Sequence, residues 1–282
     1  MNSNPKPTAD SPSLQPSPIK EEGVDSMPLE GLRIAVTRPS GQAAALIERV
    51  RAAGGEAVIL PLLEIVPPAT PLHAADLRER MTRADIILFI SPSSVRMTLN
   101  LLPAEEWPAA PRLAAIGQGT ARALRSHGHE HVLTPESGAD SEALLAHPAF
   151  ADVSGQTILL VRGEGGRPLL ADTLTARGAH VEHAIVYRRK PSPPDITTLK
   201  HGATTIFVMT SSEALRVLLN AATTPETRAW LQAQRYVFGH PRIAGLGQAH
   251  GLHGIITESP EDDALYRALV CLAPTGTEER PA

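Results

Sequence analysis

A single cysteine, Cys271, is the first shortage that matters in this sequence. One thiol excludes an internal disulfide framework and a thiolate metal cluster, so a reducing compartment, the cytosol, is expected. Aromatic residues make up only 3% of the chain, too few for the base-stacking platforms of single-stranded nucleic-acid binders. No apolar run approaches the roughly 18 residues a membrane helix needs; the longest, such as Ile86 to Ile90, are strand-sized. Neither sign of charge dominates: 26 Lys and Arg face 30 Asp and Glu, a formal net charge of -4. Nothing therefore draws the chain to nucleic acid or to an anionic membrane. An acidic ligand must be met by local arginines, helix N-termini and backbone N–H groups.

Several chemical signatures are also missing. Among eleven histidines no spacing resembles HExxH; His127, His129 and His131 read as one surface turn, His250 and His253 as another, all solvated rather than metal-ligating. The glycine turn Arg162-Gly163-Glu164-Gly165-Gly166-Arg167 fails the dinucleotide fingerprint, because Pro168 stands at its third position. The near-match Gly117-Gln118-Gly119 has Arg122 there, and no GKS or GKT follows either cluster. No serine sits in a G-x-S-x-G setting, and Cys271 falls in an apolar C-terminal stretch, so no nucleophile is evident. No metal and no cofactor is expected.

What is present fits 282 residues that are 42% hydrophobic, enough for two α/β domains. Residues 1–29 are rich in Pro and Ser, lack the apolar core of a signal peptide and read as a disordered extension; residues 272–282 have the same character. Between them β-rich apolar runs alternate with amphipathic stretches, the pattern of βα units and a mostly parallel sheet.

Two kinds of block each occur twice, in the order a, b, a, b. The first runs from Leu32 to Arg38 through an Ala- and Leu-rich helix to Gly54-Gly55 and then Ala57 to Pro61; its partner runs from Thr157 to Gly163, through Leu169 to Arg177, to Gly178 and then His180 to Arg189. The second begins at Asp85 to Ser91 and continues through Arg112 to Gly117 to a helix at Ser141 to Leu145. Its copy has Thr205 to Ser212, Tyr236 to His240, and Gly254 to Thr257 followed by Asp262 to Val270. If each domain needs one block of each kind, the pairing is either sequential or nested. The matched extended segments Ala57 to Val66 and Val181 to Lys190 can pair antiparallel as a two-stranded connector, which favours nesting. The expected domains are then 30–66 with 191–271, and 67–190, with a ligand cleft between their strand ends.

Hydroxyl clusters follow strands at Ser91-Pro92-Ser93-Ser94 and at Thr210-Ser211-Ser212. Helix N-capping accounts for them by itself. The same unsatisfied N–H donors, aided by the helix dipole, also bind carboxylate or phosphate. The turn flanked by Arg162 and Arg167 suits close backbone approach to an acidic arm, with arginine giving bidentate contacts. Tyr187 ends a strand beside Arg188 and Arg189; its phenol can protonate a leaving hydroxyl, or simply be an interfacial strand tyrosine. His240, before Pro241-Arg242, is open between a strand end and a ligand contact.

Taken in order, Val36-Thr37-Arg38-Pro39 with Gln42, Phe89-Ile90-Ser91-Pro92, Ile116-Gly117-Gln118-Gly119-Thr120-Ala121, Arg162-Gly163 with Gly166-Arg167, Val186-Tyr187-Arg188-Arg189 and His240-Pro241-Arg242-Ile243-Ala244 resemble the bacterial uroporphyrinogen-III synthase family, from about Gly31 to Val270. The resemblance implies an α/β fold of two similar parallel-sheet domains, one discontinuous, joined by a two-stranded β connector with the active-site cleft between them. It implies hydroxymethylbilane as substrate and a soluble monomer needing no metal or nucleotide. In the family's reaction the ring A hydroxyl leaves to give an azafulvene, ring D attacks to form a spiro intermediate, and this fragments and recloses with ring D inverted. Tyr187 matches the tyrosine proposed to assist hydroxide loss. Substrate contacts are expected at Arg38, Ser91, Ser93, Ser94, Gly117 and Thr120, at Arg162, Gly163 and Arg167, and at Thr210, Ser211, Ser212, His240 and Arg242. Where the family often has a Ser-x-Asn-Ala-Val turn, this chain has Ser91-Pro92-Ser93-Ser94-Val95. The stretch from Ala244 to Gly254, with Gly245, Gly247 and Gly251, is expected to form a short, frayed or mobile helix. The rival readings are a non-catalytic tetrapyrrole-binding module of the same fold, and a bilobal anion-binding protein of the periplasmic type.

Overall fold

The computed structural model describes residues 27–136, 138, 140–200 and 205–273. Most of the expected N-terminal extension, and the C-terminal tail from 274 onward, lie outside the described residues. In chain order the strands are β1 Arg33–Val36, β2 Glu56–Ile59, β3 Leu63–Val66, β4 Ile86–Phe89, β5 Arg112–Ala115, β6 Val132–Leu133, β7 Thr157–Gly163, β8 His180–Pro191, β9 Thr205–Met209, β10 Arg235–Phe238 and β11 His253–Ile256. They form two sheets, ordered β11-β10-β9-β1-β2 and β3-β8-β7-β4-β5-β6. Every pairing is parallel except β3 with β8.

The repeat explains this order. In each sheet the three strands of a b block lie beside the two strands of an a block: β11-β10-β9 then β1-β2 in the first lobe, β6-β5-β4 then β7-β8 in the second. The first lobe takes its strands from both ends of the chain, so the observed topology is the nested one.

Parallel sheets need cover on both faces, which is why β4 is an unbroken apolar run and β9 is apolar after Thr205, both buried along their whole length. One face of the first sheet packs Phe207, Tyr236 and Phe238, the other Ile34, Val36 and Val237. The second sheet packs Phe89, Val161 and Tyr187 on one face and Ile86, Leu88 and Phe150 on the other. Each such side chain, fully buried, stabilises the fold by about 1.5–3 kcal/mol.

Three sequence expectations change. The connector is shorter than the matched segments: only Leu63–Val66 pairs with Arg188–Pro191. Glu56–Ile59 already belongs to β2, and the first half of β8 runs parallel with β7, as in Thr157↔His180. Pro61, which lacks an N–H, marks the break between β2 and β3. Secondly, His129 is not a solvated loop residue. Its ring stacks on Trp107 at 4.6 Å, which stacks in turn on Phe89 at 5.4 Å, and its Nε2 is buried without a partner among the described residues. Burial, and then the neighbouring His127, hold its pKa below the usual histidine value. Thirdly, the helix Pro225–Gln232 is an addition to the sequence reading. Thr224 and Thr227 form its capping box and Pro225 occupies its first turn.

The glycine-rich helix spans Pro241–Gln248, and a Cβ on its Gly247 would lie 2.8 Å from the Phe238 ring. Close packing on the sheet, rather than fraying, explains a glycine there. No helix among the described residues is long and apolar enough to cross a membrane.

Candidate active site

The turns that follow β1, β4, β5, β9 and β11 converge from both lobes on a cleft of about 470 Å³. Its walls include Arg38, Ser91, Gly117, Thr120 and Thr210, five of the residues singled out in the sequence. Strand C-terminal ends face a cleft because each following helix presents its N-terminal N–H groups there.

The turn after β4 is held by its own hydroxyls. Ser91 Oγ accepts the N–H of Ser94 at 3.0 Å, Ser94 Oγ donates to the Ser91 carbonyl at 2.7 Å, and Pro92 opens the helix Pro92–Leu101. Ser93, buried on the same turn, receives a hydrogen bond from the Gln42 amide of the other lobe. The corresponding turn after β9 is capped by Ser211, whose Oγ accepts from Ala214 N–H at 3.3 Å, while Ser212 Oγ is buried with no partner among the described residues. Gly117 is the N-cap of the helix Gln118–Arg125, and Thr120 is buried in its first turn. Capping, the plainer reading, is therefore real at these turns; Ser91, Thr120 and Thr210 line the cleft, whereas Ser93, Ser94, Ser211 and Ser212 do not.

Tyr187 lies behind the turn after β4. Its ring is only 3% exposed, and its hydroxyl is 3.1 Å from Ser91 Oγ. Gly163 makes room for that ring, since a Cβ there would lie 2.6 Å from it. Arg189 stands over the same ring with its guanidinium carbon 5.9 Å from the centroid, and Nη1 approaches the phenol oxygen at 3.5 Å. Its Nε donates to Glu213 Oε2 of the first lobe at 2.5 Å. Glu213 was not singled out in the sequence; an acidic residue in the first turn of the helix after a strand was the available signal.

The remaining arginines differ in their freedom. Arg38 is ion-paired with Asp262 and also donates to the carbonyls of Gln42 and Pro260. Arg167 grips Glu142 with two N–H groups, at 2.5 and 3.2 Å, near the solvent. Arg162, 8% exposed, lines a separate recess of about 330 Å³ together with Gly165, Gly166 and His183. It donates only to the Gly163 and Gly165 carbonyls and forms no ion pair among the described residues. Burial holds its pKa below the usual arginine value. His240 caps the helix Pro241–Gln248, its Nδ1 accepting from Arg242 N–H at 3.0 Å; neither side chain lines the main cleft. Arg242 is nonetheless close enough to act on the Glu142 carboxylate of the other lobe, holding its pKa down after the larger effect of Arg167.

The lobes touch through polar contacts at the cleft edge. Besides Gln42 with Ser93 and Arg189 with Glu213, Arg122 pairs with Glu261, and Arg96 Nη1 donates to the Ser40 carbonyl at 3.3 Å. These features define a bilobal α/β protein with a polar cleft at the strand ends of both lobes.

A family model for uroporphyrinogen-III synthase HemD matches residues 44–267. The uroporphyrinogen-III synthase of Salmonella typhimurium (strain LT2) is 35% identical over 246 residues, covering 84% of this chain and 100% of the relative. That of Escherichia coli (strain K12) is 32% identical over 245 residues, again covering 84% and 100%. In fold, the crystal structure of uroporphyrinogen-III synthetase from Helicobacter pylori 26695 matches with a TM-score of 0.58 at 17% identity, covering 86% of this chain and 99% of that one. The chain belongs to the uroporphyrinogen-III synthase family.

Proposed function

We propose that the chain cyclises hydroxymethylbilane to uroporphyrinogen III with loss of water and inversion of ring D, as a cyclising hydro-lyase of tetrapyrrole biosynthesis. The observation that carries this reading is the cleft shared by both lobes, with a phenol, Tyr187, hydrogen-bonded to one of its wall residues. A flexible bilane with acidic arms needs a site that grips both of its ends. The bilane closes without inversion once hydroxide is lost, so the enzyme's main task is to hold the terminal rings in the conformation that forms the spiro centre. The N-terminal turns of the helices Pro92–Leu101 and Gln118–Arg125, which carry Ser93, Ser94 and Thr120, with Thr210 opposite, suit carboxylate arms through their dipoles and hydroxyls, and Arg162 and Arg167 suit those reaching past the main cleft. Arg38, Gly117, Gly163, Ser211, Ser212, His240 and Arg242 complete the proposed contact set. Tyr187 assists departure of the ring A hydroxyl.

In this reading residues 30–66 with 191–271 form one domain and 67–190 the other, and the protein acts as a cytosolic monomer without metal or cofactor. The test is the isomer ratio of uroporphyrin, after oxidation of the product, when the purified chain receives freshly generated hydroxymethylbilane. An excess of isomer III is expected. Isomer I alone, from folded protein, would replace this reading by a non-catalytic tetrapyrrole-binding module. Tyr187→Phe should lower turnover while sparing the fold, and an unchanged rate would remove Tyr187 from the chemistry.

A further inference from the structure

Tyr187 does not itself line the inter-lobe cleft, whereas Ser91, to which it is hydrogen-bonded, does. The direction of that hydrogen bond follows from the neighbouring groups. An arginine N–H can only donate, and Arg189 Nη1 faces the phenol oxygen at 3.5 Å. The phenol's own hydrogen then has Ser91 Oγ as its acceptor among the described residues. Ser91 Oγ also accepts the backbone N–H of Ser94 at 3.0 Å, so both its lone pairs are engaged. What the serine has left to offer is its hydrogen, for which the described residues supply no acceptor on the cleft side.

We propose that Ser91 is the residue that hands a proton to the departing hydroxyl, with Tyr187 behind it as the source and Arg189 as a positioning residue. This rests on the functional reading above and changes which atom touches the substrate. As the bond from the ring A methylene to its oxygen breaks, that oxygen takes the Ser91 hydrogen and leaves as water. Ser91 Oγ takes the Tyr187 hydrogen, and the phenolate remains beside the Arg189 guanidinium. The balance closes when the terminal pyrrole loses its α-hydrogen on ring closure, because that proton restores the relay. Glu213 keeps Arg189 in place from the opposite lobe, at 2.5 Å, so the relay is aligned only when the lobes are together.

The experiment compares the full chain with Ser91→Gly, Ser91→Thr, Tyr187→Phe and the Ser91→Gly/Tyr187→Phe double variant. The readout is steady-state formation of isomer III from fresh hydroxymethylbilane in H2O and in D2O. Glycine is chosen because it caps a helix nearly as well as serine, and circular dichroism checks the fold. Ser91→Gly should lower kcat about tenfold with KM within about twofold, and the double variant should be no slower than the worse single one, because two links of one relay do not lose independently. Ser91→Thr, which keeps the hydroxyl, should recover most of kcat. The solvent isotope effect on kcat should shrink in both single variants that cut the relay. A folded Ser91→Gly protein with wild-type kcat, or single losses that multiply in the double variant, would show that Tyr187 acts without Ser91 and overturn the relay alone. A wild-type chain yielding only isomer I would overturn the functional reading and the relay with it.

Discussion

Arg38 and Arg162 occupy matching places in the two lobes, and only one of them has an anion from its own lobe. The ladders pair Ile34 with Ile206 in one sheet and Ile158 with Ile86 in the other, and Ile206 and Ile86 stand equally far before the capping serines Ser211 and Ser91. Counting on from Ile34 and Ile158 brings Arg38 and Arg162 into register. Both donate to carbonyls of nearby loops. The first lobe then adds Asp262, the residue after the N-cap Glu261 of its last helix; at the same place after the N-cap Asp140 the second lobe has Ser141. One arginine is therefore balanced within its own lobe, and the other is a nearly buried cation whose hydrogen-bond acceptors among the described residues are carbonyl oxygens. A buried charge is costly without an anion, so Arg162 favours an incoming carboxylate where Arg38 already has Asp262.

The largest expected effect comes from opening the balanced side. Asp262→Ala should leave Arg38, whose side chain is 13% exposed, without its partner. Breaking a fully buried pair costs roughly 3–5 kcal/mol; Asp262 keeps 27% exposure, which argues for about 2–3 kcal/mol, read from urea unfolding. A loss below about 0.5 kcal/mol would mean that solvent already screens Arg38 and that the two arginines are less different than their contacts suggest.

The converse change gives Arg162 an anion from its own lobe. Ser141→Asp places in the second lobe the carboxylate that the first lobe uses, within the helix Ser141–Leu145 that already faces the glycine turn through Glu142 and Arg167. It should compete with a substrate arm for Arg162 and raise KM about tenfold, equivalent to roughly 1.4 kcal/mol, with kcat little changed and stability raised rather than lowered. An unaltered KM would place Arg162 outside the path of the substrate, and the asymmetry would then be structural.

Much of this frame is legible in the amino-acid sequence alone. The a, b, a, b repeat carried the strand order, because strand and helix periodicities are local signals and each copy supports the other. Ser91, Tyr187 and the glycine turn stood out because capping hydroxyls, a rare tyrosine and clustered glycines are recognisable one at a time. The pairing partners were not legible. Arg38 and Asp262 are 224 residues apart and Arg189 meets Glu213 across the lobes, and no local pattern specifies such contacts. Nor did Tyr187 announce that it lies behind Ser91, since its burial depends on Gly163 yielding space on the adjoining strand. His129 was misread for the same reason: a histidine between polar neighbours looks solvated until a distant tryptophan is found against its ring.

That misread histidine separates the lobes a second time. Each lobe holds one of the two tryptophans beside its central aromatic strand: Trp230 lies edge-on to Phe207 at 6.1 Å in the first, and Trp107 is sandwiched between Phe89 and His129 in the second. Only the second stack ends in a group that titrates near neutrality. His129 has its folded pKa held below 6.5 by burial, so above pH 6.5 the folded and unfolded chains both carry it neutral and it adds no pH dependence. As pH falls below 6.5 the unfolded chain takes up a proton that the folded chain resists, and stability is lost until the folded pKa is reached. Because the ring is partly exposed, the loss at about pH 6 should stay below about 1 kcal/mol, the smallest of these effects. His129→Phe keeps an aromatic ring against Trp107 and removes the titration. Unfolding followed by Trp107 fluorescence in a Trp230→Phe background should therefore weaken between pH 7.5 and 6 with His129 and should weaken less with phenylalanine there. Equal pH dependence in the two proteins would mean that the imidazole is hydrated in the folded state, and that acid does not distinguish the second lobe from the first.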